Sequence, residues 1–190
     1  MTWDDVKGLK EAKKALMQAV VLPQARPEFF TGPRKAMKGI LLYGPPGTGK
    51  TFIAKAIAAK SDSAFLSISS ADILSKWVGE GAKNVKRLFD AARENSPCTI
   101  FIDEIDSMCK KRGEKTSESL GQIKTEFLAQ MDGIGSDKDR VFVLGATNLP
   151  WALDDALLRR FQKRIYIPLP DDYARAGIIS GNLGERDALP

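Results

Sequence analysis

Short apolar runs alternate along the chain with longer stretches in which apolar residues recur every three or four positions. The short runs have the length and composition of buried parallel strands, and the three-to-four spacing is typical of amphipathic helices. The runs that predict strands are residues 39–43, 64–68, 99–102, 141–146 and 164–167. Since they alternate with helical stretches, the pattern predicts an α/β fold, a five-stranded parallel sheet with helices on both faces.

Residues that cap or stop a helix mark the ends of the helical stretches. Ala12, Leu16 and Val20 define an N-terminal helix that should end at Pro23, because proline cannot donate a helical hydrogen bond. The polar residues 110–119 are expected to form a loop. Further helices are predicted at 52–60, 71–75, 80–96, 123–133 and 153–158, and a last one that begins at Asp171 and Asp172.

The junction between the first strand and its helix carries a complete phosphate-binding motif. The stretch Gly44-Pro-Pro-Gly-Thr-Gly-Lys50-Thr51 matches G-x-x-x-x-G-K-[ST]. Its glycines let backbone amides turn toward an anion, Lys50 can contact the β- and γ-phosphates, and the Thr51 hydroxyl can bind Mg²⁺. A glycine-rich turn with an incidental Lys-Thr would not account for the matching strand and helix. The motif therefore predicts a P-loop NTPase-type sheet that binds a nucleoside triphosphate.

Polar side chains follow the third and fourth strands at the points where these strands end. Asp103 and Glu104 come directly after residues 99–102, and Asn148 follows the fourth strand. Because ligands bind beyond the carboxyl ends of parallel strands, we expect Asp103 to face the Mg²⁺ and Glu104 to polarise the attacking water. The carboxylates could instead cap the next helix, and Asn148 could be a plain turn residue. The glycine loop favours the catalytic interpretation of all three.

Composition excludes several other kinds of chemistry. The sequence has no histidine, which excludes a histidine general base, a histidine-based triad and a histidine metal site. Its two cysteines, Cys98 and Cys109, are too few for a disulfide framework or a set of metal ligands, and both are expected to be reduced thiols. The net charge of +5 is scattered without a basic, aromatic-interleaved patch, so no nucleic-acid partner is expected. No apolar run approaches a membrane span and no signal peptide is recognisable, which predicts an intracellular protein.

Two further segments remain ambiguous from spacing alone. Arg159-Arg160 follows a predicted short helix, where the pair could contact a γ-phosphate or could simply be a surface dipeptide at a helix end. Lys76-Trp77-Val78 places an aromatic residue beside a cation in a glycine-bounded loop, and such a tryptophan could equally belong to the core.

Taken together, the motifs resemble those of AAA ATPases of the meiotic clade. GPPGTGKT at 44–51, FIDEIDS at 101–107, GATN at 145–148 and LLRRF at 157–161 stand in this order. Within the clade, SKWVGE at 75–80 and NLPWALD at 148–154 most resemble the vacuolar protein sorting ATPases that disassemble ESCRT-III polymers. Katanin and spastin share parts of these sequence motifs. However, these microtubule-severing enzymes resemble each other in having tyrosine where this chain has Trp77.

The resemblance implies an ATP hydrolase that requires Mg²⁺ and works as a homo-hexamer. Such a motor threads a polypeptide through its central pore, here ESCRT-III subunits, and is a cytoplasmic protein recruited to endosomal membranes through its partners. A microtubule-severing ATPase is the nearest alternative. A nucleic-acid-acting AAA+ ATPase and a non-catalytic nucleotide-dependent scaffold are alternatives of other classes.

The resemblance also assigns roles to individual residues. It implies that Glu104, Asn148, Arg159 and Arg160 are catalytic, with the arginine pair supplied to a neighbouring subunit. It places polypeptide-gripping pore loops at Lys76, Trp77, Val78, Arg112, Gly113 and Glu114. It implies that nucleotide is bound by Asp5, Lys7, Gly8, Pro46, Gly47, Thr48, Gly49, Lys50, Thr51, Phe52 and Asp103, with Mg²⁺ held by Thr51 and, through water, by Asp103.

The extent of the resemblance predicts a division of the chain. Residues 1–172 match the large ATPase subdomain, and residues 173–190 would lead toward a helical lid subdomain. By this resemblance we expect the lid, and a domain before Trp3, to be missing from the sequence. We therefore expect the chain by itself to be largely monomeric, to bind nucleotide weakly and to hydrolyse ATP slowly. Ser119-Leu120-Gly121-Gln122 departs from the basic pair of the family, which leaves open how the second pore loop is coupled to the neighbouring nucleotide.

Overall fold

The predicted parallel sheet is present, and it lies at the centre of the molecule. A computed structural model of the chain describes residues 2–30, 36–75, 80–108, 118–134 and 140–183. Within these residues the sheet consists of β1 (Gly39–Tyr43), β2 (Ala64–Ser69), β3 (Cys98–Asp103), β4 (Val141–Thr147) and β5 (Lys163–Tyr166). All its pairings are parallel, and the strand order is β2-β3-β4-β1-β5. The carboxyl ends of β3, β4 and β1 are therefore neighbours.

Helices connect the strands and cover the sheet on both faces, as predicted. They are α1 (Lys10–Leu16), α2 (Leu22–Ala25), α3 (Lys50–Lys60), α4 (Ser70–Ser75), α5 (Gly81–Glu94), α6 (Ile105–Met108), α7 (Glu118–Gly133), α8 (Asp155–Arg160) and α9 (Asp172–Leu183). Single 3₁₀ turns lie at Trp3–Asp5, Pro27–Phe29 and Pro150–Ala152. No helix within the described ranges combines the length and the hydrophobicity needed to cross a bilayer.

Successive residues of the central strands enter two different cores. Leu41, Ile100 and Val143 face the core formed with α5 and α7, where the rings of Phe89 and Phe127 meet edge to face at 5.8 Å between centroids. The alternate strand positions face the core formed with α1 and α3; they include Ile40, Leu42, Phe101, Phe142 and Leu144. Because successive side chains of a strand point to opposite faces, continuously apolar strands must be covered on both sides. The central strands are accordingly buried along nearly their whole length.

The predicted end of the N-terminal helix is wrong. The helix does not stop at Pro23 but continues to Ala25. Residues Met17–Val21 form a π-helical turn, and the amide of Leu22 donates to Met17. Pro23 then lies in the first turn of α2, where a missing amide donor costs little. Proline here follows a change of helix type rather than ending the helix.

The structure shifts two other predicted boundaries. The short helix expected at 153–158 begins later, at Asp155, because the side chain of Asp154 caps it by accepting from the amide of Leu157 at 3.0 Å. The helix also ends later than expected, at Arg160, so Arg159 and Arg160 lie in its last turn rather than after it. The last strand ends at Tyr166, although the amide of Ile167 still donates to Tyr43.

Candidate nucleotide site

The candidate site lies at one edge of the sheet, where neighbouring strands end. β3 ends at Asp103, β4 at Thr147 and β1 at Tyr43, and β4 pairs with both of the other strands. The phosphate-loop sequence follows β1 directly, and the amide of Gly44 donates to the Thr147 carbonyl at 3.4 Å. The topology therefore gathers three segments that are far apart in sequence, as expected for a crevice outside the strand ends.

The backbone of the phosphate loop has a conformation that suits glycine. Gly44 has φ +153°, and a Cβ at this position would lie 2.2 Å from the carbonyl oxygen of Ile167. Gly49, with φ +87°, is the residue that precedes helix α3. Among the described residues, no protein acceptor receives the amides of Gly47, Thr48 or Gly49. Amides without a protein acceptor at the start of a helix fit a bound phosphate.

Lys50 is nearly buried inside this loop. Its ammonium donates to the carbonyls of Gly44 at 3.0 Å and Pro45 at 2.8 Å, with the Thr48 hydroxyl at 3.5 Å. Burial lowers the pKa of Lys50, and the nearby charge of Asp103 opposes that shift. A buried cation held only by neutral oxygens gains from an anionic ligand, so the arrangement favours binding of a phosphate group.

Thr51 and Asp103 are in direct contact across the site. The Thr51 hydroxyl donates to Asp103 Oδ2 at 3.1 Å, and this bond joins α3 to the end of β3. A hydroxyl and a carboxylate oxygen are ligand types that Mg²⁺ prefers, and Mg²⁺ usually takes its remaining ligands from phosphates and water. The two side chains therefore fit a magnesium ion, and they are the pair that the sequence assigns to it. No group of three or more acidic or cysteine side chains is placed for metal binding elsewhere in the described part of the chain.

Glu104 occupies a conformation that few residues of its type adopt. Its φ is +51°, in the left-handed region, and its amide donates to Asp103 Oδ1 at 2.9 Å. Its carbonyl accepts from the amide of Ser107 at 2.9 Å, which closes the turn into α6. Strained backbone of this kind is concentrated at functional sites, because the surrounding structure must hold it in place. The carboxylate of Glu104 is exposed at the sheet edge.

Asn148 directly follows the last residue of β4. Its Oδ1 atom is buried and has no hydrogen-bond partner among the described residues. Buried polar atoms of native proteins are nearly always hydrogen-bonded, and an orphaned one requires an explanation such as an ion or a water molecule. An unpartnered amide oxygen at the end of β4, between the strands that lead to Asp103 and to the phosphate loop, has the chemistry needed to orient a water molecule or a phosphate.

A cavity of about 800 Å³ continues from the phosphate loop to the other end of the chain. Gly47, Thr48, Gly49 and Phe52 line one side, and the N-terminal residues Asp5, Val6, Lys7 and Leu9 line another. The remaining wall comes from Pro168, Leu169, Pro170, Asp171, Ala174, Gly177, Ile178 and Gly181. The volume is within the range of ligand pockets, and the walls are largely apolar, which suits a planar base.

The structure brings most of the predicted nucleotide-binding residues to this cavity or its mouth. Gly8 lies beside the cavity rather than in its wall, with φ +67°, and a Cβ there would meet Ala174 at 3.0 Å. Pro46 is an exposed loop residue that does not line it. The wall formed by residues 168–171 and α9 has no counterpart among the sequence-based predictions. No motif marks it, because only the packing of α9 against the N-terminal segment creates it.

Arg159 and Arg160 lie in a different place from the phosphate loop. They line a separate pocket of about 320 Å³ with Lys38, Met131, Asp132 and Gln162. Arg160 donates through Nε to Asp132 Oδ1 at 3.1 Å and through Nη2 to Asp132 Oδ2 at 2.8 Å. These bonds lower the pKa of Asp132 and raise that of Arg160. The arginine pair is therefore not part of the nucleotide cavity of its own chain.

Several predicted residues cannot be placed. The pore-loop residues Lys76, Trp77, Val78, Arg112, Gly113 and Glu114 lie outside the described residues, as does Cys109. Cys98 is a buried free thiol whose pKa is raised by burial. Sequence reasoning missed Asp132 as the partner of Arg160 and Asp106 as the partner of Thr147.

Comparisons with known proteins show which family this chain resembles. A family model described as "ATPase family associated with various cellular activities (AAA)" matches residues 40–169. Vacuolar protein sorting-associated protein 4B of Mus musculus is 58% identical over 183 residues, which are 96% of this chain and 41% of that protein. Spastin of Naegleria gruberi is 54% identical over 180 residues, 93% of this chain and 34% of that protein. The chain thus spans about a third to two fifths of the length of these curated relatives.

A solved structure has the same fold. The FIGL-1 AAA domain in complex with ADP superposes with a TM-score of 0.85 at 51% sequence identity. The match covers 96% of this chain and 61% of that one.

Proposed function

The chain belongs to the AAA family of ATPases, and on this premise we propose that it hydrolyses ATP to drive the remodelling of a protein substrate. The main support for ATP hydrolysis is the 3.1 Å hydrogen bond from the Thr51 hydroxyl to the carboxylate of Asp103, the residue before Glu104. It joins the phosphate-loop helix to Asp103, the last residue of β3, and Glu104 is the next residue. Ligand-binding and water-activating groups thus share one edge of the sheet.

The phosphate loop and its helix hold the nucleotide. The amides of Gly47, Thr48 and Gly49 can donate to phosphate oxygens, and the Lys50 ammonium turns toward them from the Gly44 and Pro45 carbonyls. Thr51 and Asp103 would hold Mg²⁺, which when bound neutralises charge on the phosphate oxygens. The base and ribose would lie in the cavity between the N-terminal segment and α9.

Glu104 and Asn148 act on the water molecule that attacks the γ-phosphate. Glu104 orients this water and accepts a proton from it, because no histidine exists in the sequence to do so. The Asn148 amide, with its unpartnered oxygen, fixes the position of the same water or of the γ-phosphate. In-line positioning of the water is the main requirement of phosphoryl transfer.

Arg159 and Arg160 serve the nucleotide of a neighbouring copy. They lie in a pocket separate from their own nucleotide cavity, so a second chain is needed to bring a phosphate to them. An arginine supplied in this way is worth roughly 10³–10⁵ in rate. We propose a homo-oligomer, a hexamer in the active form.

The proposed substrate is a polypeptide within an ESCRT-III polymer, and the setting is the cytoplasmic face of the endosome. The support is the 58% identity to a vacuolar protein sorting-associated protein, together with Trp77 in the SKWVGE segment. Trp77 and its neighbours, with Arg112-Gly113-Glu114, would grip the chain in a central pore. We further propose that residues 1–172 form the large ATPase subdomain and that 173–190 lead onward from it.

Microtubule severing is the second candidate function. It is favoured by the 54% identity to spastin. Incubation of the full-length protein with stabilised microtubules and ATP distinguishes the two functions, because a severing enzyme fragments the filaments and an ESCRT-III-directed motor leaves them intact.

The substitution Glu104→Gln tests the catalytic proposal. The amide keeps the size of the side chain but cannot accept a proton, so we expect ATP hydrolysis to fall by about 10²–10⁴-fold while ATP binding is retained. Steady-state hydrolysis and binding of a fluorescent nucleotide measure the two effects. Glu94→Gln, on the exposed end of α5, is the matched control and should behave like the wild type. Normal turnover by the Glu104 variant would remove this residue from the chemistry.

The substitution Trp77→Ala tests the motor proposal in the full-length protein. Loss of the aromatic grip should leave ATP hydrolysis within about twofold of the wild type but abolish disassembly of ESCRT-III filaments, because pore contacts act on substrate binding rather than on phosphate chemistry. Trp151→Ala removes an exposed tryptophan elsewhere and serves as the control. Unimpaired filament disassembly by the Trp77 variant would contradict the pore-loop role.

A further inference from the structure

Asp106 is a buried carboxylate close to the catalytic edge that the chemistry above does not use. Its side chain is only 7% exposed, and it accepts a hydrogen bond from the Thr147 hydroxyl at 2.6 Å. It forms no ion pair within the part of the chain that the structure describes. Burial of a carboxylate is unfavourable, and the Thr147 hydroxyl is a neutral partner, so the short bond between them calls for a functional explanation.

Thr147 also makes hydrogen bonds that constrain the backbone around the next residue, Asn148. Its hydroxyl donates to Asp106 and also accepts from the amide of Leu149 at 2.9 Å. Its carbonyl accepts from the amide of Gly44 at 3.4 Å. Asn148 is therefore held between two fixed residues. Thr147 before it is paired in strand β4, and Leu149 after it is hydrogen-bonded to the Thr147 side chain.

The segment that carries Asp106 also carries Glu104. Asp106 lies two residues after Glu104, in α6, and the amide of Ser107 donates to the Glu104 carbonyl at 2.9 Å. The Asp106–Thr147 bond consequently ties the turn that holds Glu104 to the strand end that holds Asn148. A hydrogen bond to a carboxylate such as that of Asp106 is shorter and stronger than a hydrogen bond between neutral groups.

We propose that Asp106 is a positioning residue for ATP hydrolysis: through the Thr147 hydroxyl it fixes the Asn148 amide relative to Glu104. This inference rests on the proposed function. Asp106 itself touches neither nucleotide nor water in this role. Small displacements of groups that position a reactant reduce rates strongly, so the contact should affect turnover far more than nucleotide affinity.

The test compares Thr147→Val, which removes the hydroxyl at nearly constant shape, with Thr147→Ser, which keeps it. In the full-length protein, Thr147→Val and Asp106→Ala should each lower kcat by about 10- to 100-fold with KM and the Kd for ADP within about twofold. Thr147→Ser should restore kcat. The double variant Asp106→Ala/Thr147→Val should be no slower than the slower single variant, because both remove the same contact.

A spectroscopic readout separates this inference from the proposed function. The side-chain amide resonance of Asn148 in the ADP-bound protein should move in Thr147→Val and in Asp106→Ala and stay in place in Thr147→Ser. Unchanged kcat in the first two variants, or a loss of ADP affinity and melting temperature that matches the loss of kcat, would overturn the positioning role. If instead the wild type hydrolyses no ATP, the proposed function fails. The Asn148 resonance then still shows whether Asp106 fixes the position of the Asn148 side-chain amide.

Discussion

Arg160 is engaged by its own chain, because its Nε and Nη2 atoms donate to the two carboxylate oxygens of Asp132. A third bond, from Nη1 to the Ala156 carbonyl at 3.2 Å, fixes the guanidinium on helix α8. Such a fork-like pairing orients an arginine more strictly than a single contact. To bind the phosphate of a neighbouring copy, Arg160 must either keep some of its hydrogen bonds to Asp132 or replace all of them with bonds to the phosphate.

The contact between Asp132 and Arg160 should make stability depend on acid pH. Hydrogen bonds from Arg160 lower the pKa of Asp132 below its ordinary value of 3.8. Because the folded pKa is depressed, the contribution is complete above the ordinary value and is lost as the pH falls through the folded one. Asp132→Asn should therefore cost about 0.2–1 kcal/mol at pH 6, as exposed ion pairs do, and less at pH 3.

Urea unfolding of the wild type and of Asp132→Asn at the two pH values measures this difference. The matched control is the same substitution made in an Arg160→Gln background, where the Arg160 hydrogen bonds are gone and only the weaker charge of Lys38 acts on Asp132, so most of the pH dependence should vanish. A pH dependence of undiminished size without Arg160 would assign the lowered pKa of Asp132 chiefly to another charge.

Helix boundaries show where local reasoning succeeds and where it fails. The strands and the amphipathic helices α5 and α7 were predictable, because hydrophobic periodicity is a property of neighbouring residues. The continuation of the N-terminal helix past Pro23 was not, because a π-helical turn at Met17–Val21 has no sequence signal. The start of α8 after Asp154 is a different case, because aspartate is a preferred N-cap residue and local sequence reasoning could have found it.

Two glycines in different elements should respond oppositely to alanine. In helix α7 a Cβ at Gly121 would meet nothing within 4 Å, so Gly121→Ala should stabilise the protein by about 0.5–1 kcal/mol through lower unfolded-state entropy. In β4 a Cβ at Gly145 would lie 2.8 Å from Phe161 Cζ and 3.3 Å from Ile105 Cδ1. Gly145→Ala should therefore destabilise it by about 1–3 kcal/mol through overpacking.

Chemical denaturation of both variants beside the wild type checks this pair, and each serves as the other's control. A destabilised Gly121→Ala would mean that this position needs glycine for a reason other than space. A neutral Gly145→Ala would mean that the Phe161 ring moves aside without cost.

At the scale of the whole molecule, the two ends of the described chain meet at one cavity. The segment Trp3–Leu9 and helix α9 face each other across it, and Lys7 packs against Gly177, where a Cβ would lie 3.0 Å from Lys7 Cγ. The arginine pocket opens elsewhere. A complete hydrolytic site therefore requires two copies of the chain in the arrangement that we propose.

Mixing of inactive variants tests the shared site directly. Lys50→Ala should lose nucleotide binding, and Arg159→Ala/Arg160→Ala should lose hydrolysis while binding nucleotide. In mixed oligomers of full-length protein, the intact arginines of the first variant can serve the intact phosphate loop of the second, so hydrolysis should partly recover. The measurement is ATP turnover against mixing ratio, with sedimentation to verify that mixed oligomers form.

The control for this experiment replaces the Lys50 variant with Lys55→Ala, whose side chain is exposed on α3. That mixture should contain fully active copies as well as restored sites, and should turn over faster at every ratio. Mixed oligomers of the two inactive variants that remain inactive would show that the arginine pair serves its own chain or no nucleotide at all.

The sequence by itself determined the alternation of strands and helices, the phosphate loop and the position of Asp103 and Glu104 at a strand end. Each of these depends on consecutive residues, and the parallel sheet then places strand ends at a common edge. Only the tertiary structure decided which side chains meet. The Asp132–Arg160 and Asp106–Thr147 bonds join residues 28 and 41 positions apart, and α9 closes a cavity that begins at the N-terminus. Such contacts depend on how packed elements are placed and rotated against each other, which no local pattern encodes.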